Sequence, residues 1–316
     1  MCRWMAYLGQ PIQPAQLVLH SQHSIVAQSL ASDLGAEPVN GDGFGFGWYP
    51  LPPVDSSYPR IFRSIEPAWN DQNLREITEA VESRLFFCHV RAAAGPPIQQ
   101  TNCHPFRHDN WLFMHNGTVS DFAELRRDLT FAVDPSLYPQ IMGTTDSEVL
   151  FHLALTLGLR DDPVAAMGKA IGMVESVGHD HGVALPMQGT VAVTDGSTIW
   201  AFRYSSQGRS RSLFHSADIA TLQQMYPDVE RLQIFDKGAQ VVMSEPFAEL
   251  PGAFLEVPES TVAARVVIPT ALCGWSPAGF ARSPMTSPRI SVAAACTTGR
   301  AGARLVRDHA AWTSGC

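Results

Sequence analysis

The chain has 316 residues, 45% hydrophobic and 16% charged, enough apolar material for a packed core, which excludes a wholly disordered or fibrous protein. With 22 basic against 30 acidic residues the formal net charge is −8, the wrong sign for a general nucleic-acid binder, whose phosphate contacts need a basic surface. No stretch approaches the roughly 18 apolar residues of a membrane-spanning helix, and the opening MCRWMAYLGQ lacks the apolar segment and cleavage site of a signal peptide. The six cysteines, Cys2, Cys88, Cys103, Cys273, Cys296 and Cys316, show no paired spacing, which points to a reduced, cytoplasmic setting.

In chain order, residues 3–8 read as a strand that starts directly at the N-terminus. The segment 40–49, NGDGFGFGWY, is a glycine-dense turn opening an aromatic strand with the strand period of two. Further strands are expected at 60–64, 85–91 and 111–114, with a helix over 72–84; the strand at 111–114 ends in the turn tripeptide His115-Asn116-Gly117. A short helix over 120–129 follows the cap candidate Ser120, and Thr145 with Glu148 forms a capping box for a helix running through Leu157. A second long helix covers 162–177 and ends in the loop GHDHG. Strands at 189–194 and 198–204 flank Asp195-Gly196, a hairpin signal. Strands near 239–244, 252–257 and 261–268 close the body, so the folded domain is expected over 2–268. Residues 269–316 carry no sustained periodicity and read as a disordered or loosely packed tail. Strands, two long helices, then strands again is not a strict alternation. It argues for an α+β arrangement with mainly antiparallel sheets.

Cys2 becomes the N-terminal residue once Met1 is removed. A terminal cysteine carries a thiol nucleophile and an α-amine of reference pKa about 7.7–8.0, and the amine can act as the thiol's general base. The alternative is a cysteine that merely packs in the first strand. Acyl transfer to a thiol needs donors fixed where charge develops on the carbonyl oxygen. The Asn116 side-chain amide and the Gly117 backbone N–H could supply them, unless the pair is an ordinary turn. Arg91 can bind a carboxylate bidentately or be a strand-end surface residue. Asp146 can pair with a substrate ammonium or simply complement its helix dipole.

Other features are set aside. Adjacent residues on a strand point to opposite faces, so neither Cys88-His89 nor Cys103-His104 easily chelates one ion, and zinc-type spacing is absent. No metal is expected. His179-Asp180-His181 reads as a solvated turn. The loop 41–47 lacks the Lys-Ser/Thr and the following helix of a phosphate cradle; its glycines permit close backbone approach. His104 and His115 are assigned structural or hydrogen-bonding roles, since the terminal amine already supplies a base.

Cys2, Asp42-Gly43-Phe44-Gly45, His89-Val90-Arg91, His104-Pro105-Phe106, His115-Asn116-Gly117 and Thr145-Asp146-Ser147-Glu148 stand in this order and spacing. The set resembles the class II, N-terminal-cysteine glutamine amidotransferases of the Ntn-hydrolase superfamily over residues 2 to about 260, most of all the stand-alone members. It is also similar to the ergothioneine-pathway γ-glutamyl hydrolases, which share the opening Met-Cys-Arg and the Asn40–Trp48 type of loop. The resemblance implies a four-layer αββα sandwich with Cys2 starting the first strand, and an amidohydrolase acting on glutamine or a γ-glutamyl amide. It implies that Cys2 forms a γ-glutamyl thioester, that Asn116 and Gly117 stabilise the oxyanion, and that Arg91 and Asp146 hold the substrate's α-carboxylate and α-ammonium. No cofactor is required, and the partner is a small γ-glutamyl molecule. The alternatives are a glutaminase subunit feeding ammonia to a separate acceptor enzyme, or a catalytically silent γ-glutamyl-binding protein. The chain departs from the synthase-coupled families where they carry Arg-Trp-Ala-Thr-His-Gly and it reads Arg91-Ala92-Ala93-Ala94-Gly95.

Overall fold

The first strand, β1 (Arg3–Ile12), shows how the molecule is built. Trp4, Ala6 and Leu8 alternate with Met5 and Tyr7, and all five are buried, so this strand carries apolar cover on both faces. The computed structural model describes residues 2–274 except 22, 33, 35–38, 53, 94, 248–249 and 267, and for 262–274 it describes the backbone alone. The chain divides into a compact unit Met1–Phe280 and a second unit, Ala281–Cys316, outside the described residues.

After β1 come α1 (Ala15–Val18), α2 (Ile25–Leu30), β2 (Phe44–Trp48), β3 (Arg60–Ser64), α3 (Gln72–Ala80), β4 (Ser83–Val90), β5 (Phe106–His108) and β6 (Trp111–Val119). The helices α4 (Phe122–Phe131), α5 (Asp146–Thr156) and α6 (Pro163–Asp180) precede β7 (Met187–Thr194), β8 (Ile199–Ser205) and β9 (Phe214–Ser216). The short helices α7 (Ile219–Met225) and α8 (Glu230–Gln233) are followed by β10 (Gln240–Met243), β11 (Phe254–Glu256), β12 (Thr261–Val266) and β13 (Ile268–Gly274).

Among the described residues the strands form two sheets, one in the order β11-β9-β10-β1-β4-β2-β3 and one in the order β13-β12-β8-β7-β6-β5. Each of the paired neighbours runs antiparallel. Trp4, Ala6, Phe87, Leu112, Met114, Ala192 and Val242 fill the space between the sheets. Met5, Tyr7, Phe86 and Cys88 face the other way, against α1–α3 and α7. On the far side, Phe113, Val191 and Phe202 pack under α4, α5 and α6. The layers are therefore helix, sheet, sheet, helix, as the resemblance implied. Across the middle, Trp4 Nε1 of β1 donates to Thr190 Oγ1 of β7 at 3.1 Å and His89 of β4 meets Asn116 of β6, so β1 lies over β7 and β4 over β6.

Several local expectations change. His115-Asn116-Gly117 is not a turn: β6 runs through it in unbroken register with β7, from Leu112↔Thr194 to Val119↔Met187. Tertiary pairing overrides the local turn preference, and the glycine is needed for a different reason. Gly117 faces Gly189, and a Cβ there would collide with the Gln188 carbonyl. Helix α4 starts from Asp121, at φ 51°, and not from Ser120, whose hydroxyl bonds the Leu185 carbonyl at 2.8 Å. The Thr145 half of the capping box forms, its Oγ1 accepting from Glu148 N at 3.2 Å; the Glu148 carboxylate turns instead to the N–H groups of Met142 and Gly143, at 3.0 and 2.6 Å. Helix α6 extends to Asp180, and His181 bonds Asp128 at 2.9 Å. The expected boundary at 268 falls between β12 and β13, which pair from Thr261↔Gly274 to Val266↔Ile268. The expectation for residues 275–316 lies outside the described residues. Among the described residues no helix is long and apolar enough to cross a membrane.

Candidate active site

Cys2 sits at the head of β1, flanked by the ends of β4 and β10. Its Sγ lies 3.4 Å from the Ala92 backbone N–H and 3.5 Å from the Ala92 carbonyl. Its own carbonyl accepts from Arg3 Nη1 at 3.0 Å and from Asn116 Nδ2 at 2.8 Å. Arg3 is fixed in turn by Glu245, Nε to Oε2 2.8 Å, and by the Ser32 hydroxyl at 2.9 Å; Arg3 and Glu245 are both buried. The nucleophile's backbone is thus tied to both sheets.

Asn116 points into the space between the sheets because it continues the alternation Leu112-Met114. Since its Nδ2 donates to Cys2, its Oδ1 is the acceptor for His89 Nε2–H at 3.1 Å. His89 also stacks on His104, ring centroids 4.2 Å apart. On the other face of β6, His115 Nδ1–H donates to Ser147 Oγ at 2.9 Å, and that hydroxyl donates to Asp146 Oδ1 at 3.0 Å. Asp146 also accepts from Val119 N at 2.8 Å and from Ser147 N at 2.7 Å.

The glycine-rich loop braces the segment after β4. Asp42 N bonds the Arg91 carbonyl at 2.9 Å, Arg91 N bonds the Gly43 carbonyl at 2.8 Å, and Ala93 N bonds Asp42 Oδ2 at 2.7 Å. A Cβ on Gly45 would collide with the His104 carbonyl, so the glycines of β2 admit the 104–105 backbone. The Arg91 guanidinium is buried and donates to the carbonyls of Asp42, Pro96 and Pro97, at 3.4, 3.2 and 3.3 Å. Three of its five N–H groups are so used.

Cys2 and Asn116 line a cavity of about 500 Å³ together with Gln188, Gln207, Arg209 and Arg211; Gly117 follows Asn116 on β6. Arg91 and Asp146 do not line that cavity and stand on the other flank of the Cys2–Asn116 pair. Among the described residues no group of three or more His, Cys, Asp or Glu could hold a metal ion. The sequence reading assigned no role to Arg3, Glu245, the Ala92 N–H, Arg209 or Arg211. His89 was in the motif set without a role, though its place two residues after the inward-facing Phe87 was the available signal.

Burial pushes the Cys2 thiol up; the Ala92 N–H, the N-terminal charge and the guanidinium groups of Arg91 and Arg3 pull against that. The thiol is therefore protonated at neutral pH and needs a base. Burial also pushes the imidazoles down: His89 to about 3, His104 well below its ordinary value, and His115 downward despite the nearby Asp146. All three are neutral in the folded protein near pH 7. An unfolded histidine takes a proton near pH 6.5, so these rings favour folding above that pH, and the contribution is lost as pH falls through and below it. Each proton taken up on unfolding costs about 1.4 kcal/mol per pH unit. The urea midpoint is expected to fall steeply between about pH 6.5 and 5; a flat midpoint across that window would contradict neutral buried rings.

The sequence profile of the class-II glutamine amidotransferases matches residues 19–249. The chain is 34% identical over 288 residues to the probable glutamine amidotransferase DUG3 of Saccharomyces cerevisiae, covering 83% of this chain and 81% of that protein. It is 36% identical over 121 residues to the gamma-glutamyl-hercynylcysteine sulfoxide hydrolase of Mycolicibacterium smegmatis, covering 38% of this chain and 52% of that one. Among solved structures, a glutamine aminotransferase class-II domain protein from Silicibacter pomeroyi superposes with a TM-score of 0.65 at 30% identity, over 88% of this chain and all of the other. The glutamine PRPP amidotransferase of B. subtilis shares the fold, with a TM-score of 0.56 at 16% identity over 87% of this chain and 49% of that one. An N-terminal-nucleophile sandwich with a cysteine at the head of its central strand, matched over most of its length by the family profile, by DUG3 and by the Silicibacter pomeroyi structure, belongs to the class-II glutamine amidotransferases.

Proposed function

We propose that the protein cleaves glutamine or a γ-glutamyl amide through a γ-glutamyl thioester on Cys2. The observation that carries this reading is the meeting of Cys2 Sγ with the Ala92 N–H at 3.4 Å while the Asn116 amide reaches Cys2 from the opposite sheet at 2.8 Å. Removal of Met1 frees the α-amine, which takes the thiol proton. The sulfur attacks the γ-carbonyl carbon, and the charge on oxygen is stabilised by Asn116 Nδ2 and the Gly117 N–H. As the C–N bond breaks, the α-ammonium returns the proton to the departing amine. Water, deprotonated by the same amine, then adds to the thioester, releasing glutamate and regenerating the thiol. Arg91, with two N–H groups left, binds the α-carboxylate and Asp146 the α-ammonium. No metal or cofactor enters these steps, and we place the reaction in the cytoplasm.

The leaving-group side is open to more than ammonia, since one relative is named for a γ-glutamyl conjugate. Membership of an amidotransferase family favours a second reading, in which the chain passes ammonia to a separate acceptor enzyme. Glutamate release from glutamine and from γ-glutamyl-cysteine separates them. The first reading expects the conjugate to be cleaved at least as well as glutamine. A hundredfold preference for glutamine, about 2.7 kcal/mol, would support the ammonia donor, and no release from either would overturn the assignment.

A further inference from the structure

We propose that the cavity beside Cys2 is a leaving-group subsite in which Arg209 and Arg211 bind a carboxylate carried by the departing amine, so that the preferred substrates are γ-glutamyl peptides with a free carboxylate next to the scissile amide. The inference rests on the γ-glutamyl reading above and adds what lies beyond the γ-carbonyl.

The topology separates two flanks of the nucleophile. In one sheet β1 has β4 on one side and β10 on the other; Arg91 and Ala92 follow β4, while Ser244 follows β10. In the facing sheet β6 lies between β7 and β5, and past the stretch that β5 covers the N-terminus of α5 takes β5's side, where Asp146 bonds Val119 N. With β4 over β6 and β1 over β7, Arg91 and Asp146 fall on one flank. The cavity opens on the other, walled by Gln188 of β7, by Ser244 and by the 207–212 segment. A head group held by Arg91 and Asp146 directs its γ-substituent toward Arg209 and Arg211.

A free ammonia leaving group needs no such room and no cation. The cavity holds about 500 Å³, within the range of small-molecule sites, about 300–1,000 Å³. Three arginines line it, and of these Arg209 and Arg211 are uncommitted among the described residues. Among the described residues Arg3 pairs with Glu245, and Arg203 with Glu256 and Glu259, whereas neither Arg209 nor Arg211 has an acidic partner. Arg211 Nε is buried without any hydrogen-bond partner. Burial, and then the nearby Arg3 guanidinium, lower the pKa of Arg211, so an anion there relieves an unfavourable charge. The backbone that carries the pair is anchored. Ser210 N and Oγ both donate to Glu259 Oε2, at 2.9 and 2.8 Å, and Ser212 Oγ donates to the Ser244 carbonyl at 2.8 Å. Ser210 and Arg203 thereby occupy Glu259 Oε2, while Oε1 is buried without a hydrogen-bond partner. Guanidinium groups match carboxylates bidentately.

The experiment compares kcat/KM for γ-glutamyl-alanine with that for γ-glutamyl-alaninamide, whose leaving group has the same shape without the charge, with glutamine as a third substrate. The full chain is expected to favour the acid at least about tenfold. In the Arg209→Gln/Arg211→Gln double variant that ratio falls to near one, and the corresponding Lys variants keep part of it. A partial folding defect lowers both rates and leaves the ratio intact; the single variants give the same reading if the double variant does not fold. A ratio near one in the unaltered protein, or one unchanged by the substitutions, overturns the subsite. Equal losses on glutamine and on the acid also overturn it, by placing the arginines on the γ-glutamyl head. If glutamine is cleaved and the ratio is one, the subsite alone fails. If none of the three substrates is cleaved, the amidohydrolase reading fails and the subsite falls with it.

Discussion

Replacing Cys2 with alanine is expected to lower turnover at least about a hundredfold, as loss of a covalent nucleophile does. Among the described side chains neither of the other two thiols can take over. Cys88 lies in the core under the helices of the first sheet, and Cys103 is buried with its Sγ against the carbonyls of Ser64 and Gln99. Burial holds both thiols above their ordinary value. Cys2→Ser keeps the shape but leaves a hydroxyl that the α-amine deprotonates far less readily, so it is expected to be nearly as inactive. Glutamate release over a long incubation, with the melting temperature as control, is the measurement. Full activity in Cys2→Ala would remove the nucleophile from the account.

Asn116→Ala is expected to lower kcat by about 10²–10³, or about 2.7–4 kcal/mol of transition-state stabilisation, with KM little changed, because the amide acts where charge develops on oxygen. In the resting protein this amide bonds the Cys2 carbonyl at 2.8 Å, and His89 holds its Oδ1 at 3.1 Å, which fixes its orientation before substrate arrives. The steady-state split decides: an effect confined to KM would place Asn116 in ground-state binding.

The sequence carried the central features unevenly. β1 was legible because its apolar run is unbroken, and the β7–β8 hairpin because Asp195 closes it, its carboxylate accepting from Ser197 N and Thr198 N at 2.8 and 2.9 Å. Asn116-Gly117 was misleading as a turn, since Gly189, 72 positions after Gly117, decides that the strand continues. Ser120 looked like a cap, but its hydroxyl is drawn to Leu185 by packing that no local pattern encodes. The short helices α1 and α2 and the three-residue strands β5 and β9 are below the length at which periodicity speaks. Cys2, Arg91, Asn116 and Asp146 stood out through their order along the chain, yet that order did not reveal that Arg91 and Asp146 lie on one flank and Arg209 and Arg211 on the other. The Arg3–Glu245 pair spans 242 positions, and the polar run around Arg209 has no period to read.

The central claim is that an N-terminal Cys2 is the nucleophile. Its most direct test is the mass of the purified full chain, before and after reaction with a diazo-ketone analogue of glutamine, followed by peptide mapping. The account predicts a chain lacking Met1 that gains a single adduct on Cys2, with activity lost in step. An adduct on Cys88 or Cys103 instead of Cys2, or an active preparation that retains Met1, would contradict it.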